Sequence, residues 1–265
     1  MRFLLLLPFA AFALLVPHQT LGQEPSGTTV GVIPAAAVSH QGSSRVLGLD
    51  DPIFMGDEVN TDGIGEVQIR FRDNSRVVVG PNSLLTIDRF VFNPDNTARD
   101  VALNYARGTF RFISGSSQPE AYSFRSPSMT IGIRGSAHDF SNGVFVLLAG
   151  SARLCHPTTR ECVEVSEPCS VVVSDENGLR VLESDAERLA ELQSGEFRYV
   201  SGNQSTLEPD FRLDTRRICG IVPTQHANAG ATTFAAAITA AAALATAAIV
   251  AESTKESSPV SPPDP

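Results

Sequence analysis

The sequence has 265 residues, and 42% of them are hydrophobic, which is enough to build a core of substantial size. Its formal net charge is −9 at pH 7, and no basic cluster interleaved with aromatic residues offsets this acidic excess. Such a surface repels phosphate backbones, so the composition excludes nucleic acid as an expected partner. The chain also lacks Trp and has three Tyr, which leaves few flat rings for stacking on sugars.

Residues 1–22 have the features of a secretory signal peptide. Arg2 provides the positive start, residues 3–16 are an apolar run interrupted only by Pro8, and Thr20 and Gly22 place small residues near the cleavage site. The alternative is an uncleaved anchor helix, but the apolar run is shorter than the roughly 20 residues that a spanning helix needs. We therefore expect an exported protein that begins near Gln23 and resides in the periplasm, in the cell envelope or outside the cell.

Residues 23–29 predict a polar linker, and residues 30–183 predict one all-β domain. Short segments rich in β-forming residues follow one another, with polar turns such as Asp73-Asn74-Ser75 between them. In residues 66–72 the apolar side chains of Val67, Ile69 and Phe71 alternate with polar ones, which predicts one buried and one solvent-exposed face. Strands at this spacing, with no helical pattern between them, predict an antiparallel-rich β-roll, a short β-solenoid or a sandwich.

The predicted core consists of the inward-facing apolar residues of these strands. Truncating any of its large members should cost roughly 2 to 5 kcal/mol of stability. The predicted core residues are Val67, Ile69, Phe71, Val78, Ile87, Leu103, Phe110, Phe112, Ile131, Ile133, Phe140, Val146 and Leu148.

The chain changes character after residue 183. Ser184-Asp185-Ala186-Glu187 has the S-x-x-E form of a capping box and predicts a short helix over 184–193. Residues 194–228 are polar and predict loop or extended chain with little core of its own. Residues 229–251 are Ala-rich and uncharged, which suits either a transmembrane helix or an Ala-rich helix outside the membrane, and residues 252–265 predict a disordered tail.

Four cysteines, Cys155, Cys162, Cys169 and Cys219, predict two disulfides in an exported protein. Three pairings are open. We favour Cys155 with Cys162, which flank a turn, and Cys169 with Cys219, which would fasten the C-terminal segment to the β domain. A zinc site is the alternative, but the short C-x2-4-C spacing of structural zinc sites is absent, so we expect no metal.

Three motifs give the β domain a family resemblance. Residues 56–61 read GDEVNT, and residues 71–83 contain a D-N-S turn, an apolar strand and a G-x-x-S element. Residues 131–140 read IGIRGSAHDF and contain the most specific element, an arginine followed by Gly-Ser ahead of Phe140. These motifs resemble the FecR domain family over about residues 32–173. Asn74 stands in place of the usual Gly, Ser136 in place of Thr, and His138-Asp139 is added before Phe140.

The motif residues have structural roles that need no catalysis. We expect Gly56 and Asp57 to form a turn in which the carboxylate accepts backbone N–H groups, and Gly132 and Gly135 to permit positive φ or close strand contact. Two roles are open for Arg134: a structural guanidinium paired with Asp57 or Asp88, or a binding residue. The motif positions to which we assign a structural role are Gly56, Asp57, Asp73, Ser75, Gly80, Gly132, Arg134, Gly135 and Ser136.

The polar residues after Arg134 are weaker candidates. His138 and Asp139 are possible binding residues, although scattered polar side chains on an exposed sheet face are the commoner explanation. Ser136 is close to them in sequence, yet neighbouring strand residues point to opposite faces and a G-x-S-x-G elbow is absent. We therefore expect no catalytic residue and no cofactor.

The resemblance also implies a function. Resemblance to the FecR family implies a periplasmic domain that receives a signal from an outer-membrane receptor. Such a domain relays the signal through a membrane helix to a cytoplasmic segment that binds a sigma factor. No such segment precedes the β domain in this sequence, so we expect a free-standing, non-catalytic module for protein interaction or signal sensing. A protein partner is expected, and membrane association would involve residues 229–251. The alternative is a structural or adhesive exoprotein domain.

Overall fold

The computed structural model describes residues 23–202 and 204–220. The predicted signal peptide at 1–22, the Ala-rich segment at 229–251 and the tail at 252–265 lie outside the described residues. Within the described ranges, no helix is long and apolar enough to cross a membrane. The strands of this part of the chain are β1 Gly27–Ile33, β2 Ala36–His40, β3 Ser43–Val46, β4 Pro52–Ile53, β5 Glu58–Thr61, β6 Glu66–Phe71, β7 Arg76–Val79, β8 Leu84–Phe92, β9 Ala98–Arg107, β10 Thr109–Ile113, β11 Tyr122–Arg125, β12 Thr130–Ser141, β13 Val144–Cys155, β14 Cys162–Val165, β15 Val171–Asp175 and β16 Gly178–Val181.

The strands form one continuous sheet. Its order is β3-β2-β5-β8-β9-β11-β12-β10-β7-β6-β1-β4, with β13 added beside β12, β14 and β15 beside β13, and β16 beside β15. The pairing of β9 with β11 is parallel, and the neighbouring pairs are antiparallel. The long hairpin of β12 and β13 joins two parts of the sheet, because β12 pairs with β11 in its first half and with β10 in its second. The all-β prediction is confirmed.

The main core lies on the apolar face of this sheet. Every predicted core residue is at most 3% exposed. Aromatic rings fill the centre, where Tyr105 stacks on Phe110 at 4.3 Å between ring centroids and Phe112 meets Phe124 edge-on at 4.7 Å. Val78, Val146 and Leu148 instead face smaller apolar clusters that contain residues of the C-terminal segment. The sheet is therefore covered on both faces in this region.

The polar linker predicted at 23–29 is shorter in the structure. β1 begins at Gly27, which lies opposite Phe71 of β6. A Cβ at Gly27 would lie 2.5 Å from the Arg70 carbonyl oxygen, so only glycine permits this close pairing. Thr29 is fully buried and its hydroxyl donates to the Gly48 carbonyl at 2.6 Å. Residues 27–29 thus belong to the β domain.

The capping box starts a helix where the sequence predicts one. Helix α1 spans Asp185–Leu192, and the hydroxyl of its N-cap Ser184 accepts a hydrogen bond from the Glu187 backbone N–H at 3.2 Å. The same hydroxyl donates to the Glu187 carboxylate at 2.9 Å. This pair satisfies a backbone donor that the first turn leaves without an intrahelical partner.

The segment after α1 is not the loosely held loop that its polar composition predicts. It contains helix α2 at Arg198–Ser201, a 3₁₀ turn at Pro209–Phe211 and helix α3 at Thr215–Cys219. We call its described residues, 194–202 and 204–220, the strap. The strap is docked on the sheet by apolar side chains that are at most 1% exposed, namely Phe197, Tyr199, Val200, Leu207 and Phe211. A few well-placed aromatic residues thus give it the core that average composition does not show.

The structure contains both of the favoured disulfides. Cys155 and Cys162 lie directly opposite each other on β13 and β14. Cys169, in the loop before β15, is bonded to Cys219 at the end of α3, and the two are 50 residues apart in sequence. The second bridge therefore ties the end of the strap to the β domain.

Candidate interaction site

The first two motifs build turns. Gly56 has φ +88°, in the region that glycine enters most easily, and the buried Asp57 follows it. One carboxylate oxygen of Asp57 accepts the Phe54 backbone N–H at 2.9 Å, as the sequence predicts, and the other lies 2.7 Å from His40 Nδ1. Asp57 thus holds a turn together.

Asp73 has a similar role in the second motif. Its buried carboxylate accepts hydrogen bonds from the Ser75 hydroxyl at 2.6 Å, the Ser117 hydroxyl at 2.7 Å and the Tyr122 hydroxyl at 2.6 Å. Burial, reinforced by the bond to Asp73, raises the pKa of Tyr122 to about 12. Asn74 has φ +62°, so an asparagine occupies the left-handed position where the family usually has glycine. Asp73 and Ser75 are therefore structural, and Gly80 lies against the Tyr199 hydroxyl of the strap.

The third motif forms a bulge in the β12–β13 hairpin. The register between the two strands shifts after Arg134 and again at Ala137. Gly135 has φ +52° there, and a Cβ at Gly150 on β13 would lie 2.2 Å from the Gly135 carbonyl oxygen. Bulges of this kind re-aim the side chains beside them. The glycines of the motif thus make the local geometry that presents Arg134.

Arg134 does not pair with Asp57 or Asp88, the carboxylates suggested as partners for a structural role. Its side chain is 76% exposed, and its partner is Glu120, whose carboxylate lies 3.9 Å from Nε and is itself 66% exposed. An ion pair this long and this exposed contributes about 0 to 1 kcal/mol. The arginine of the most specific motif is therefore available to another molecule.

Arg134 borders an open groove of about 550 Å³, which we call the Arg134 groove. Its polar rim has a second loose ion pair, Arg153 with Glu164, at 3.6 Å and with both side chains at least 65% exposed. Gly132 on β12 lies directly opposite Arg153 on β13 and two residues before Arg134. It leaves a notch, because a Cβ there would meet no atom within 4 Å. The groove is lined by Glu120, Tyr122, Gly132, Arg134, Arg153 and Glu164, among others. Charges of both signs around an open notch suit a protein surface better than a small-molecule pocket.

His138 lies in the core and not on an exposed face. Its ring contacts those of Phe112, Phe124 and Phe145 at centroid distances of 4.7 to 5.6 Å. Its Nε2 is 3.3 Å from the Tyr105 hydroxyl, and its Nδ1 has no partner within the described part of the chain. Burial lowers the pKa of His138 to about 3, so the ring is neutral at physiological pH. A surface binding role for His138 is therefore wrong.

Asp139 points to the opposite side of β12 and is also fully buried. The Arg111 guanidinium donates to its two carboxylate oxygens, from Nε at 2.7 Å and from Nη2 at 2.9 Å. Burial raises the pKa of Asp139, and the charge and hydrogen bonds of Arg111 partly offset that effect. The sequence analysis did not identify Arg111. The signal that could have done so is its position between Phe110 and Phe112 in a strand whose opposite face receives the strap.

The remaining candidates do not assemble into a catalytic or metal site. Ser136 is 2% exposed, and its hydroxyl lacks a hydrogen-bond partner among the described residues. His138 and Asp139 face opposite sides of the strand, as the strand geometry predicts. No group of three His, Cys, Asp or Glu side chains in residues 23–202 and 204–220 is arranged to hold a metal ion.

Comparisons with known proteins show what this part of the chain is similar to. Residues 57–153 match the model of the family described as FecR protein. Among solved structures, a cell surface anchoring domain is 39% identical and covers 23% of this chain and 82% of its own, with a TM-score of 0.23. Two structures of a candidate anti-sigma factor from Parabacteroides distasonis ATCC 8503 are 15% and 13% identical. Each covers 52% of this chain and 65% or 64% of its own length, with TM-scores of 0.39 and 0.38.

A comparison with curated proteins found no match. The family match begins at Asp57 and ends at Arg153, so it contains the Asp73 turn, the Arg134 bulge and most of the Arg134 groove. The strap lies outside it. The similarity to the FecR family therefore covers residues 57–153 of this chain.

Proposed function

We propose that this chain is a non-catalytic signal-sensing or regulatory module that binds a partner protein at the Arg134 groove. The FecR match supports the regulatory role. The observation that carries the binding site is the motif arginine, which the bulge of β12 presents at the surface with only a distant carboxylate beside it. A residue needed for folding alone would be expected to have buried partners, as Asp57 and Asp73 do.

The energetics of the groove favour binding of another protein. Both of its ion pairs are exposed and long, so exchanging Glu120 or Glu164 for a partner's carboxylate loses little. An arginine at the centre of an interface is also the residue type that most often contributes a large share of binding energy. We expect the partner to place an acidic side chain against Arg134 and a small apolar group in the Gly132 notch.

The compartment is part of the same proposal. Two disulfides and no free cysteine among the described residues suit an oxidising compartment. We propose that the protein is exported and acts in the periplasm or cell envelope, with a receptor or regulator as its partner.

Site-specific photocrosslinking in the organism that makes the protein tests the binding site. A benzoylphenylalanine placed at the exposed Ser166, which lines the Arg134 groove, would lie beside a bound partner, whereas one placed at the exposed Ser44 on β3 serves as a control. We expect a defined adduct with a receptor or regulator from position 166 and none from position 44. The same adduct from both positions, or an adduct with a second copy of this chain, would contradict the proposal, and the latter would favour a structural or adhesive role.

Arg134→Ala separates binding from folding. Because the side chain is exposed, we expect the free energy of unfolding to change by no more than about 0.5 kcal/mol, while the adduct from position 166 is lost. Gly132→Val should also abolish the adduct, since its side chain would fill the notch without meeting another atom of the chain. Gly63→Val is the matched control, because its Cβ would meet nothing nearer than 3.7 Å and Gly63 does not line the groove. An adduct that survives Arg134→Ala would sink the proposed site.

A further inference from the structure

The sheet face under the strap has a buried polar part beside its apolar clusters. The side chains of Glu66, Gln68, Arg111 and Asp139 are there, and each is at most 2% exposed. The sequence predicts solvent on this face, because these residues alternate with the apolar positions of β6, β10 and β12. These polar side chains form hydrogen bonds and ion pairs with the strap that covers them.

The face binds both main-chain and side-chain groups of the strap. Arg111 donates to the Tyr199 carbonyl at 2.8 Å, and Gln68 donates to the Thr206 carbonyl at 2.9 Å and accepts the Glu208 backbone N–H at 2.7 Å. These main-chain groups are common to all peptides. Two contacts depend on strap side chains, since Arg111 donates to the Gln204 amide oxygen at 2.8 Å and the Tyr199 hydroxyl donates to the Glu66 carboxylate at 2.9 Å.

Additional contacts define which side chains fit. Tyr199 and Phe211 are buried against Val78 in one apolar cluster. The carboxylate of Asp210 lies 2.5 Å from Arg70 Nη2 and 3.6 Å from Arg76 Nη1. The face therefore fits a segment that, like the strap, has short helical turns, aromatic anchors and an acidic residue beside one of them.

An interface that buries charged side chains can separate more easily than a purely apolar interface of the same size. When the strap leaves, Arg111, Asp139 and Glu66 regain water, which repays the desolvation that burial imposes on charged groups. Arg111 and Asp139 also keep each other as partners, because both belong to the sheet. The free energy that holds the strap down therefore depends on its few apolar anchors and on the covalent bond at its end.

That bond is the Cys169–Cys219 disulfide, and it is accessible. Both cysteines line an open groove of about 380 Å³ between α1 and α3, with Asp185, Arg188 and Leu189 on its rim. A dithiol reductant can enter by this route. It transfers two electrons and two protons, so that the S–S bond breaks, Cys169 and Cys219 become thiols and the reductant becomes a disulfide.

We propose that the sheet face under the strap is a second peptide-binding surface, which the strap occupies until Cys169–Cys219 is reduced. Its ligand is a segment of a partner protein that has the strap's features, namely short helical turns, aromatic anchors and an adjacent acidic residue, and the strap competes with it. This surface is separate from the Arg134 groove, so the two proposals succeed or fail independently.

Hydrogen exchange and peptide binding test the proposal on the full chain. Cys169→Ser/Cys219→Ser removes the lock, and Cys155→Ser/Cys162→Ser is the matched control, because that bridge closes a hairpin away from the strap. In the first variant we expect the amides of Tyr199 and Phe211 to exchange at least about tenfold faster, with strand amides unchanged. The control should exchange like the wild type. Unchanged protection of the strap after removal of the lock would overturn the proposal.

The peptide probe is a fluorescent synthetic copy of residues 194–213, followed by anisotropy. We expect saturable binding to the Cys169→Ser/Cys219→Ser protein and to dithiothreitol-treated wild type, and at least about tenfold weaker binding to the oxidised wild type and to the control variant. Adding Gln68→Ala to the Cys169→Ser/Cys219→Ser protein should weaken binding, since it removes the two main-chain contacts that Gln68 makes. Equal binding to all forms would overturn the proposal. Reduced protein that dimerises and leaves the probe free would show that a second copy, and not a partner's segment, is the ligand, which also overturns it.

Discussion

At the scale of single residues, burial decides which polar side chains are structural. Arg111, Asp139 and His138 are 0 to 1% exposed, whereas Arg134 is 76% exposed although it is four residues from His138 on the same strand. A buried arginine needs a carboxylate and carbonyl acceptors, and Arg111 has both. Exposure therefore separates the arginine that maintains the fold from the one that can bind a partner.

We predict that losing one partner of the Arg111–Asp139 ion pair destabilises the fold more than losing both. Arg111→Met should lower the free energy of unfolding by about 3 to 5 kcal/mol, because it leaves a buried carboxylate without its cation. Adding Asp139→Leu should recover a large part of that loss, since the unpaired carboxylate of Asp139 is then removed as well. Urea denaturation of the two single variants and the double variant measures the coupling. Strictly additive losses would contradict this account.

His138 should make the protein less stable in acid. Its pKa is lowered to about 3 in the folded state from an ordinary value of 6.5, so below pH 6.5 the unfolded chain takes up a proton that the folded chain does not. Its contribution to stability is complete above pH 6.5 and falls as the pH drops toward 3. At pH 5 this loss is about 2 kcal/mol relative to pH 7. Comparing urea denaturation of wild type and His138→Phe at both pH values isolates the effect, and identical pH dependence in the two proteins would refute it.

At the scale of elements, the strap and the β12–β13 hairpin carry the functional geometry. The hairpin's bulge lies next to Arg134, and the strap covers the polar side chains of β6, β10 and β12. The strap is held unevenly: Phe197 to Phe211 provide its buried anchors, whereas α3 has Thr215 as its one fully buried residue and the disulfide at its end. Release should therefore begin at the C-terminal end of the strap.

Trypsin should report that order after reduction. The polar composition of the segment predicts that Arg212, Arg216 and Arg217 all become cleavable while the part before residue 183 stays protected. The structure refines this expectation, because Arg212 Nε is held by the Leu207 carbonyl at 2.7 Å beside the Phe211 anchor. We expect cleavage at Arg216 and Arg217 first and at Arg212 later, followed by mass spectrometry. Simultaneous cleavage at all three would mean that the strap leaves as one unit.

At the scale of the whole molecule, the two disulfides stabilise different things. The loop that Cys169–Cys219 closes spans 50 residues and joins the strap to the sheet, whereas Cys155–Cys162 closes 7 residues within one hairpin. The β domain itself has a continuous core that neither bridge crosses. It should therefore remain folded after both are reduced.

Loop-closure entropy gives the magnitudes for these bridges. Removing Cys169–Cys219 should lower the free energy of unfolding by about 4 kcal/mol, and removing Cys155–Cys162 by about 2 kcal/mol. Urea denaturation of the two double serine variants, monitored by far-ultraviolet circular dichroism, measures both values. Equal losses, or a spectrum dominated by helix in either variant, would contradict the fold and loop assignments.

The sequence by itself determined the strands, the core of the β domain, the N-cap of α1 and the motif turns, because these depend on period-2 burial and on local side-chain bonds. Asp57 and Asp73 each accept a hydrogen bond from a group two or three residues away, and that part of their roles follows from local spacing. Their other partners are 17 to 49 residues away, so the sequence does not indicate them. Only the tertiary structure decided the roles of Arg111, Arg134, His138 and Asp139. Whether a polar strand residue meets water, another strand or the strap depends on chain segments as many as about 140 residues away, such as Gln68 and Glu208. Local alternation marks the two faces of a strand, but long-range packing decides which of them is covered, and this is why the polar face under the strap could not be predicted from the sequence.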